Sequence, residues 1–223
     1  FVIIGGGPTG VELAGALSEI ARQTMVRDFR HIRPESARVI LLEGRERVLP
    51  PYPPDLSEKA RKQLIELGAE VITDAVVTEV NEREVRFGDR VIPTRTVLWG
   101  AGVQASPLAR SLGVPLDRAG RVLVEPDLTI PGHPEVFVIG DAAFLLDEKN
   151  QPLPMISTVA IQQGVHTAKN IRNLVAEKPL ADFHYKDPGL LATVGRNAAV
   201  ARIWGISFSG FIAWLIWVGL HIY

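Results

Sequence analysis

Phe1-Val2-Ile3-Ile4-Gly5-Gly6-Gly7-Pro8-Thr9-Gly10-Val11-Glu12-Leu13 opens the chain and governs how the rest is read. Four apolar residues run into a glycine turn, and the turn runs into a helix start. Gly5, Gly7 and Gly10 keep the G-x-G-x-x-G spacing of a strand–turn–helix that binds a dinucleotide, with Gly6 and Thr9 completing the loop. The first glycine makes the tight turn, the second admits a pyrophosphate to the backbone, and the third lets the helix pack on the strand. The attraction is electrostatic: first-turn N–H groups have no helical acceptor, and the positive end of the helix dipole faces the ligand. A plain strand-to-helix turn is the alternative, and the strand before and helix after the glycines favour the ligand site.

Outward from this loop, residues 22–38 carry Arg22, Arg27, Arg30, His31, Arg33 and Arg38 and read as a helix extension and surface loop. Val39-Ile40-Leu41-Leu42 is a short continuous apolar run, as in a parallel strand covered on both faces, and it ends at Glu43. Four prolines in residues 50–54 demand a loop. Asp55 or Ser57 is placed to cap the next helix, through Leu56, Ala60, Leu64 and Leu67, which Gly68 stops. Val71 and Ile72 give a third strand and complete a βαβαβ unit. Residues 76–80, 84–87 and 90–92 predict an antiparallel meander turning at Gly88-Asp89. Residues 96–99 form a further buried strand leading into Gly100-Ala101-Gly102, at the carboxyl edge of the sheet where ligands bind. A tight turn before Ser106-Pro107 is the other reading of those glycines.

The 223 residues suffice for one large domain or two small ones, and two are expected. A net charge of −1 gives no electrostatic footprint for nucleic acid. Cysteine is absent, which excludes disulfides, thiolate metal sites and a cysteine redox pair within these residues. His133, His166 and His184 lack metal-ligand spacing, so no metal site is expected, and no Ser-His-Asp arrangement is suggested. From Gly120 the chain changes to short strands with proline joints, at 121–124 and 136–139, the second ending at Gly140-Asp141. A long helix is expected over 157–177, then a hairpin of 190–194 and 198–203 around Gly195-Arg196-Asn197. The tail 203–223 has no acidic or basic residue except His221, and Trp204, Trp214, Trp217 and Tyr223 suit a membrane interface. A core helix without its partners is the competing view of the tail. The chain begins inside a strand and stops within an apolar stretch, and so is expected to be a fragment.

Two carboxylates stand out. Glu43, at the end of the second strand, is placed to accept hydrogen bonds from an adenosine ribose and to repel a 2′-phosphate, which favours NADH; Arg45 and Arg47 offset part of that repulsion. Glu12 fits the capping pattern Thr9-Gly10-Val11-Glu12, and also lies where a carboxylate beside a dinucleotide can orient an amide or relay a proton. Asp141 on its own reads as a helix cap above the sheet.

In combination, residues 2–21, Thr96-Val97-Leu98-Trp99-Gly100-Ala101-Gly102-Val103, Ile139-Gly140-Asp141-Ala142 and Ala160-Ile161-Gln162-Gln163-Gly164 resemble the type II NADH dehydrogenases. These are single-subunit flavoproteins with two dinucleotide-binding domains. The resemblance covers essentially the whole chain. It implies an α/β fold: a Rossmann-like NAD(H)-binding domain over 1–117, the C-terminal part of a split FAD-binding domain over 118–185, and a β-hairpin with the start of a membrane-associated region over 186–223. It also implies that the N-terminal half of the FAD domain is missing, so that this fragment alone is inactive.

The implied activity is electron transfer from NADH to quinone through FAD, without proton pumping, by a peripheral enzyme on the cytoplasmic face of the cell membrane. A homodimer is compatible with it. By resemblance, Gly5, Gly6, Gly7, Thr9 and Gly10 hold the NADH pyrophosphate and Glu43 its ribose. Glu12 corresponds to a glutamate near nicotinamide and flavin, and Gly102, Gly140, Asp141, Val159 and Ala160 belong to the cofactor sites, Asp141 bonding the ribityl chain. The helix entered at Thr158 directs its N-terminus at the flavin, and Thr158, Gln162 and Gln163 approach the quinone. The family's A-Q-x-A-x-Q-Q pattern reads Ser157-Thr158-Val159-Ala160-Ile161-Gln162-Gln163 here, with threonine in place of the first glutamine.

Two other classes compete. One is a soluble flavin reductase passing electrons to a disulfide, a ferredoxin or oxygen. Its thioredoxin-reductase form is excluded because the Cys-x-x-Cys would lie in the nucleotide domain, and the apolar tail argues against its glutathione-reductase form. The other is a nucleotide-binding sensor without electron transfer.

Overall fold

The computed structural model describes residues 1–29 and 31–222; Arg30, Tyr223 and the side chain of His221 lie outside the described residues. The chain divides into two compact units, one made of residues 1–102 together with residues from 189 onward, the other of residues 103–188. The sequence set its divisions at 117/118 and 185/186.

In the first unit, β1 (Val2–Ile4) leads into α1 (Pro8–Glu19), β2 (Ile40–Leu42), α2 (Pro54–Glu66) and β3 (Glu70–Ile72). An antiparallel meander of β4 (Val77–Val80), β5 (Glu84–Phe87) and β6 (Arg90–Pro93) follows, then β7 (Val97–Trp99). The four parallel strands lie in the order β3-β2-β1-β7, with Val2 opposite both Ile40 and Val97. Alternation along each strand sorts the core into two layers. Val2, Ile4, Ile40 and Leu42 pack with Val85, Phe87 and Ile92 of the meander. Ile3, Val39 and Leu41 pack with Val11 and Ala14 of α1 and Leu56, Ala60 and Leu64 of α2. Each large aliphatic side chain fully buried this way contributes about 1.5–3 kcal/mol.

The second unit holds β8 (Val122–Leu123), β9 (Thr129–Ile130), β10 (His133–Phe137), β11 (Ala143–Phe144) and α3 (Ser157–Val175). Its strands pair in twos, β11 with β8 and β10 with β9, so side chains do much of the joining. Leu128, Leu153, Val159 and Phe183 form one buried cluster. Arg121 donates to Asp117 at 2.8 Å and to the Leu153 carbonyl at 3.1 Å, and its guanidinium lies 4.7 Å from the centre of the Phe144 ring.

The chain then returns to the first unit as β12 (Leu190–Gly195), β13 (Ala198–Ile203), β14 (Ile206–Ser209) and α4 (Phe211–Ile222). The hairpin forms as expected, and one of its faces, Ala192, Val194 and Val200, joins the same buried cluster as α1 and α2. Its other face, Ala199 and Ala201, receives Ala213 of α4. The tail is therefore not one continuous apolar element. Gly205 and Gly210, both at positive φ, break it into a strand and a short helix. Among the described residues, no helix is long and apolar enough to cross a membrane.

Two expected caps are corrected. Helix α2 begins after Pro53 with no side-chain cap, because Ser57 is buried and donates to the Val48 carbonyl, while Asp55 merely lies in the first turn. Helix α1 begins after Gly7 rather than Thr9, so Glu12 lies two residues beyond the position from which it could cap the helix.

Candidate functional site

The glycine loop shows why each of its residues is small. Gly5 stands at φ +105, and a Cβ there would lie 2.7 Å from the backbone of Ala101. A Cβ on Gly10 would lie 1.8 Å from the Gly5 carbonyl oxygen, inside contact distance. A Cβ on Gly7 would meet nothing within 4 Å. Gly7 is extended at the N-terminus of α1, which has no side-chain cap, and Pro8 follows at the first helical position. The loop thus packs tightly against Ala101 at Gly5 and on itself at Gly10, and leaves open space at Gly7, before an uncapped helix whose first N–H groups need acceptors. That combination fits a pyrophosphate. Thr9 is exposed in the first turn.

Glu43 is not an exposed strand end; 9% of it reaches solvent. Its Oε2 accepts the Gly6 N–H at 2.6 Å and its Oε1 accepts the Arg45 N–H at 2.8 Å. One carboxylate therefore holds the glycine loop to the turn after β2. Each oxygen has a second lone pair, so the group keeps capacity for a sugar hydroxyl. A Cβ on Gly6 would sit 2.9 Å from this side chain.

Glu12 is exposed on α1 and accepts a hydrogen bond from Thr193 Oγ of β12 at 3.3 Å. It opens onto a groove of about 350 Å³ that Glu19, Thr193, Arg196, Trp214 and Trp217 also line. Buried Tyr52 feels this charge: burial pushes its phenol far above the usual range, and the Glu12 carboxylate adds to the shift. Gly102 stands at φ +74 beyond β7 with nothing close to its missing side chain.

In the second unit, Gly140, at φ +65, opens a single turn that ends at Ala142, with Asp141 exposed upon it. Helix α3 starts after Ile156 without a side-chain cap. Val159 is buried in the core and Ala160 lies against Gly140, whose Cβ would come within 3.3 Å of the Ala160 methyl. An exposed carboxylate for hydroxyls and an uncapped helix N-terminus for an electron-rich ring fit part of a flavin dinucleotide.

The three residues expected at the quinone diverge. Thr158 Oγ lies 3.0 Å from the Tyr185 hydroxyl. Gln162 donates to the Lys186 carbonyl at 2.8 Å and accepts the Lys186 N–H at 3.0 Å. Gln163 is 1% exposed and accepts the Gly140 N–H at 2.6 Å, so burial removes it from the helix surface where the other two lie.

A profile of the family described as pyridine nucleotide-disulphide oxidoreductase matches residues 1–164. The chain belongs to the pyridine nucleotide-disulphide oxidoreductases. Within that family it is 44% identical along its whole length to the type II NADH:quinone oxidoreductase Ndh of Mycobacterium tuberculosis and 41% identical to NdhA of the same organism. It covers 50% and 49% of those proteins, and so spans about half the length of the curated relatives it matches. Among solved structures, NDH2 from Plasmodium falciparum in complex with NADH superposes with a TM-score of 0.84 at 15% identity, over 98% of this chain and 61% of that one. A NAD-dependent persulfide reductase from A. fulgidus gives 0.69 at 20% identity, over 90% and 35%. These likenesses establish the α/β fold of the pyridine nucleotide-disulphide oxidoreductases for this chain.

Two close contacts, one in each unit, were missed in the sequence. A Cβ on Gly15 would lie 1.5 Å from the Val194 carbonyl oxygen, so α1 and β12 pack backbone to backbone behind the groove. Asn170 accepts the Ala181 N–H at 3.0 Å and donates to its carbonyl at 2.9 Å, continuing the row begun by Thr158 and Gln162. Glycine and a helical asparagine carry no local signal for either contact.

Proposed function

We propose that this chain is the NADH-binding part, with one portion of the FAD site, of a type II NADH:quinone oxidoreductase that moves electrons without pumping protons. The observation that carries the reading is the 41–44% identity, over the chain's full length, to relatives bearing that name. The glycine loop and Glu43 supply the matching chemistry for NADH.

In this reading the first-turn N–H groups of α1 bind the pyrophosphate in the open space at Gly7, with Gly5, Gly6, Thr9 and Gly10 shaping the loop. Glu43 accepts from the adenosine ribose while holding Gly6 and Arg45, and its charge disfavours a 2′-phosphate. Glu12 keeps an exposed carboxylate, oriented by Thr193, that can take up or release a proton. Gly102 leaves room at the end of β7. Asp141 accepts from a ribityl hydroxyl, and Gly140, Val159 and Ala160 fix the turn and helix that carry it. When bound, FAD supplies the two-electron chemistry linking NADH oxidation to quinone reduction. Thr158 and Gln162, on the outer face of the first turns of α3, are assigned to the quinone end. The exposed apolar side chains Phe211, Ile212, Leu215 and Leu220 of α4, with Trp204, are assigned to a peripheral contact with the cytoplasmic face of the cell membrane.

The test is NADH oxidation by the full-length protein with a soluble quinone, a ferredoxin, a disulfide or oxygen as acceptor. The expected result is a flavin-bearing protein with strong preference for quinone and weak use of NADPH. A preference for disulfide, ferredoxin or oxygen would transfer it to a soluble reductase. A colourless protein inactive with every acceptor would leave only a nucleotide-binding module.

A further inference from the structure

Gln163 makes a contact to which the proposed function assigns no part. Its side chain is buried, and its amide oxygen accepts the N–H of Gly140, which opens the turn that carries Asp141. That turn starts at Gly140, whose positive φ excludes most side chains, and Gly140 rests on α3 against Ala160. Ala160 and Gln163 are three residues apart on the helix, hence on one face, so the turn is seated between a methyl group and an amide. A backbone N–H partly withdrawn from water costs free energy without an acceptor, and here the buried amide oxygen of Gln163 is that acceptor. Val159, locked in the unit's core, fixes the rotation of α3 that presents both residues.

We infer that Gln163 is a positioning residue for the flavin: by holding the Gly140 N–H it sets Asp141 relative to the uncapped N-terminus of α3, and it does not itself touch quinone. The inference rests on the flavin reading above. The bond needs only an acceptor at the right reach. Glutamate in its neutral form can therefore replace glutamine, leucine cannot, and asparagine is too short. Thr167, one turn further along α3, provides the control for packing. It too is buried, and its hydroxyl has no hydrogen-bond partner among the described residues, so Thr167→Val alters the buried face of α3 without touching the turn.

The experiment compares full-length wild-type protein with Gln163→Leu, Gln163→Asn, Gln163→Glu and Thr167→Val. It measures FAD retained per chain after gel filtration, FAD Kd by flavin fluorescence, and KM for a soluble quinone at saturating FAD. Gln163→Leu should raise the FAD Kd about tenfold, the scale of a buried N–H left without its acceptor, with Gln163→Asn in the same direction. Gln163→Glu should restore it to within about threefold at pH values where the buried carboxyl is neutral, because its carbonyl oxygen also accepts. Thr167→Val should leave FAD binding unchanged, and the quinone KM at saturating FAD should be that of wild type throughout. If Gln163→Leu does not fold, Gln163→Asn against Gln163→Glu gives the same comparison. FAD binding that ignores the loss of the acceptor, or a quinone KM that rises at saturating FAD, overturns the inference alone. A wild-type protein that binds no FAD overturns the flavin reading and the inference together.

Discussion

A single methyl group separates the roles of Gly7 and Gly10. Gly10 has the Gly5 carbonyl at 1.8 Å from its would-be Cβ, whereas Gly7 has nothing within 4 Å. Gly10→Ala should therefore disrupt the loop itself, lowering the melting temperature as well as NADH affinity. Gly7→Ala should leave the melting temperature unchanged and, on the proposed assignment, weaken NADH binding by tenfold or more, because the methyl occupies the open space assigned to the pyrophosphate. Titration calorimetry beside thermal melting separates the two, and wild-type NADH affinity in Gly7→Ala would remove the pyrophosphate from that position. Glu43→Gln makes a second contrast. An amide has one acceptor oxygen where the carboxylate has two, so either the Gly6 or the Arg45 N–H loses its partner, a cost of about 1–3 kcal/mol. The same change removes the charge facing a 2′-phosphate, so the ratio of kcat/KM for NADH over NADPH should fall. The glycine spacing and the strand-end carboxylate were both legible in the sequence. The turning of Glu43 back onto Gly6 was not, because no local pattern encodes a bond between residues so far apart in the chain.

Among the elements, α3 illustrates how a periodic pattern can be visible while its partner is not. Thr158, Gln162, His166 and Asn170 recur every fourth residue and share one face of the helix. They bond in turn to Tyr185, Lys186 and, for the last two, Ala181, which stitches an extended segment along α3. Asn170→Ala leaves both backbone groups of Ala181 without that partner and should destabilise the second unit by about 1–3 kcal/mol in a melting experiment. Asn170→Asp should fall between, since it still accepts the Ala181 N–H but cannot donate to the carbonyl. Asp117 gives the same unit an acid sensitivity. Burial pushes its carboxyl upward, but bonds from the Arg121 N–H and guanidinium and the Ala119 N–H outweigh this and hold it below the usual carboxylate range. A carboxyl lowered in the folded state adds stability above its unfolded pKa and loses it as pH falls through the folded value. Asp117→Asn should accordingly flatten the acid limb of the stability profile, and an unchanged limb would place the acid-sensitive group elsewhere. The meander and helices α1, α2 and α3 were read from period and turn residues, though not the caps of the first two. Strand β14 escaped because Ile206–Ser209 is too short and mixed to show a period, and it is defined by pairing with β13.

At the scale of the molecule, the first unit is assembled from both ends of the chain, and its last segment displays apolar side chains beyond those it buries. Ala213 is buried against the sheet, while Phe211, Ile212, Leu215 and Leu220 stay exposed on α4. Composition made the tail's apolar character plain, and only the positive-φ glycines divided it. The sharpest test of its assignment to a membrane surface is Trp204, which is 89% exposed in the two-residue turn between β13 and β14. Trp204 and Gly205 both have positive φ, at 49° and 82°, as a type I′ hairpin turn requires. A bulky side chain is poorly suited to that conformation, and asparagine is among the residues that tolerate it best. A purely structural role predicts that Trp204→Asn is neutral or stabilising and changes nothing else. A role at the lipid interface predicts a neutral or raised melting temperature together with weaker binding to anionic phospholipid vesicles, since an exposed indole favours the headgroup region. Co-sedimentation of the full-length variant with vesicles, run beside its thermal melt, decides between them: undiminished vesicle binding would take Trp204 out of the membrane contact and leave that contact to α4.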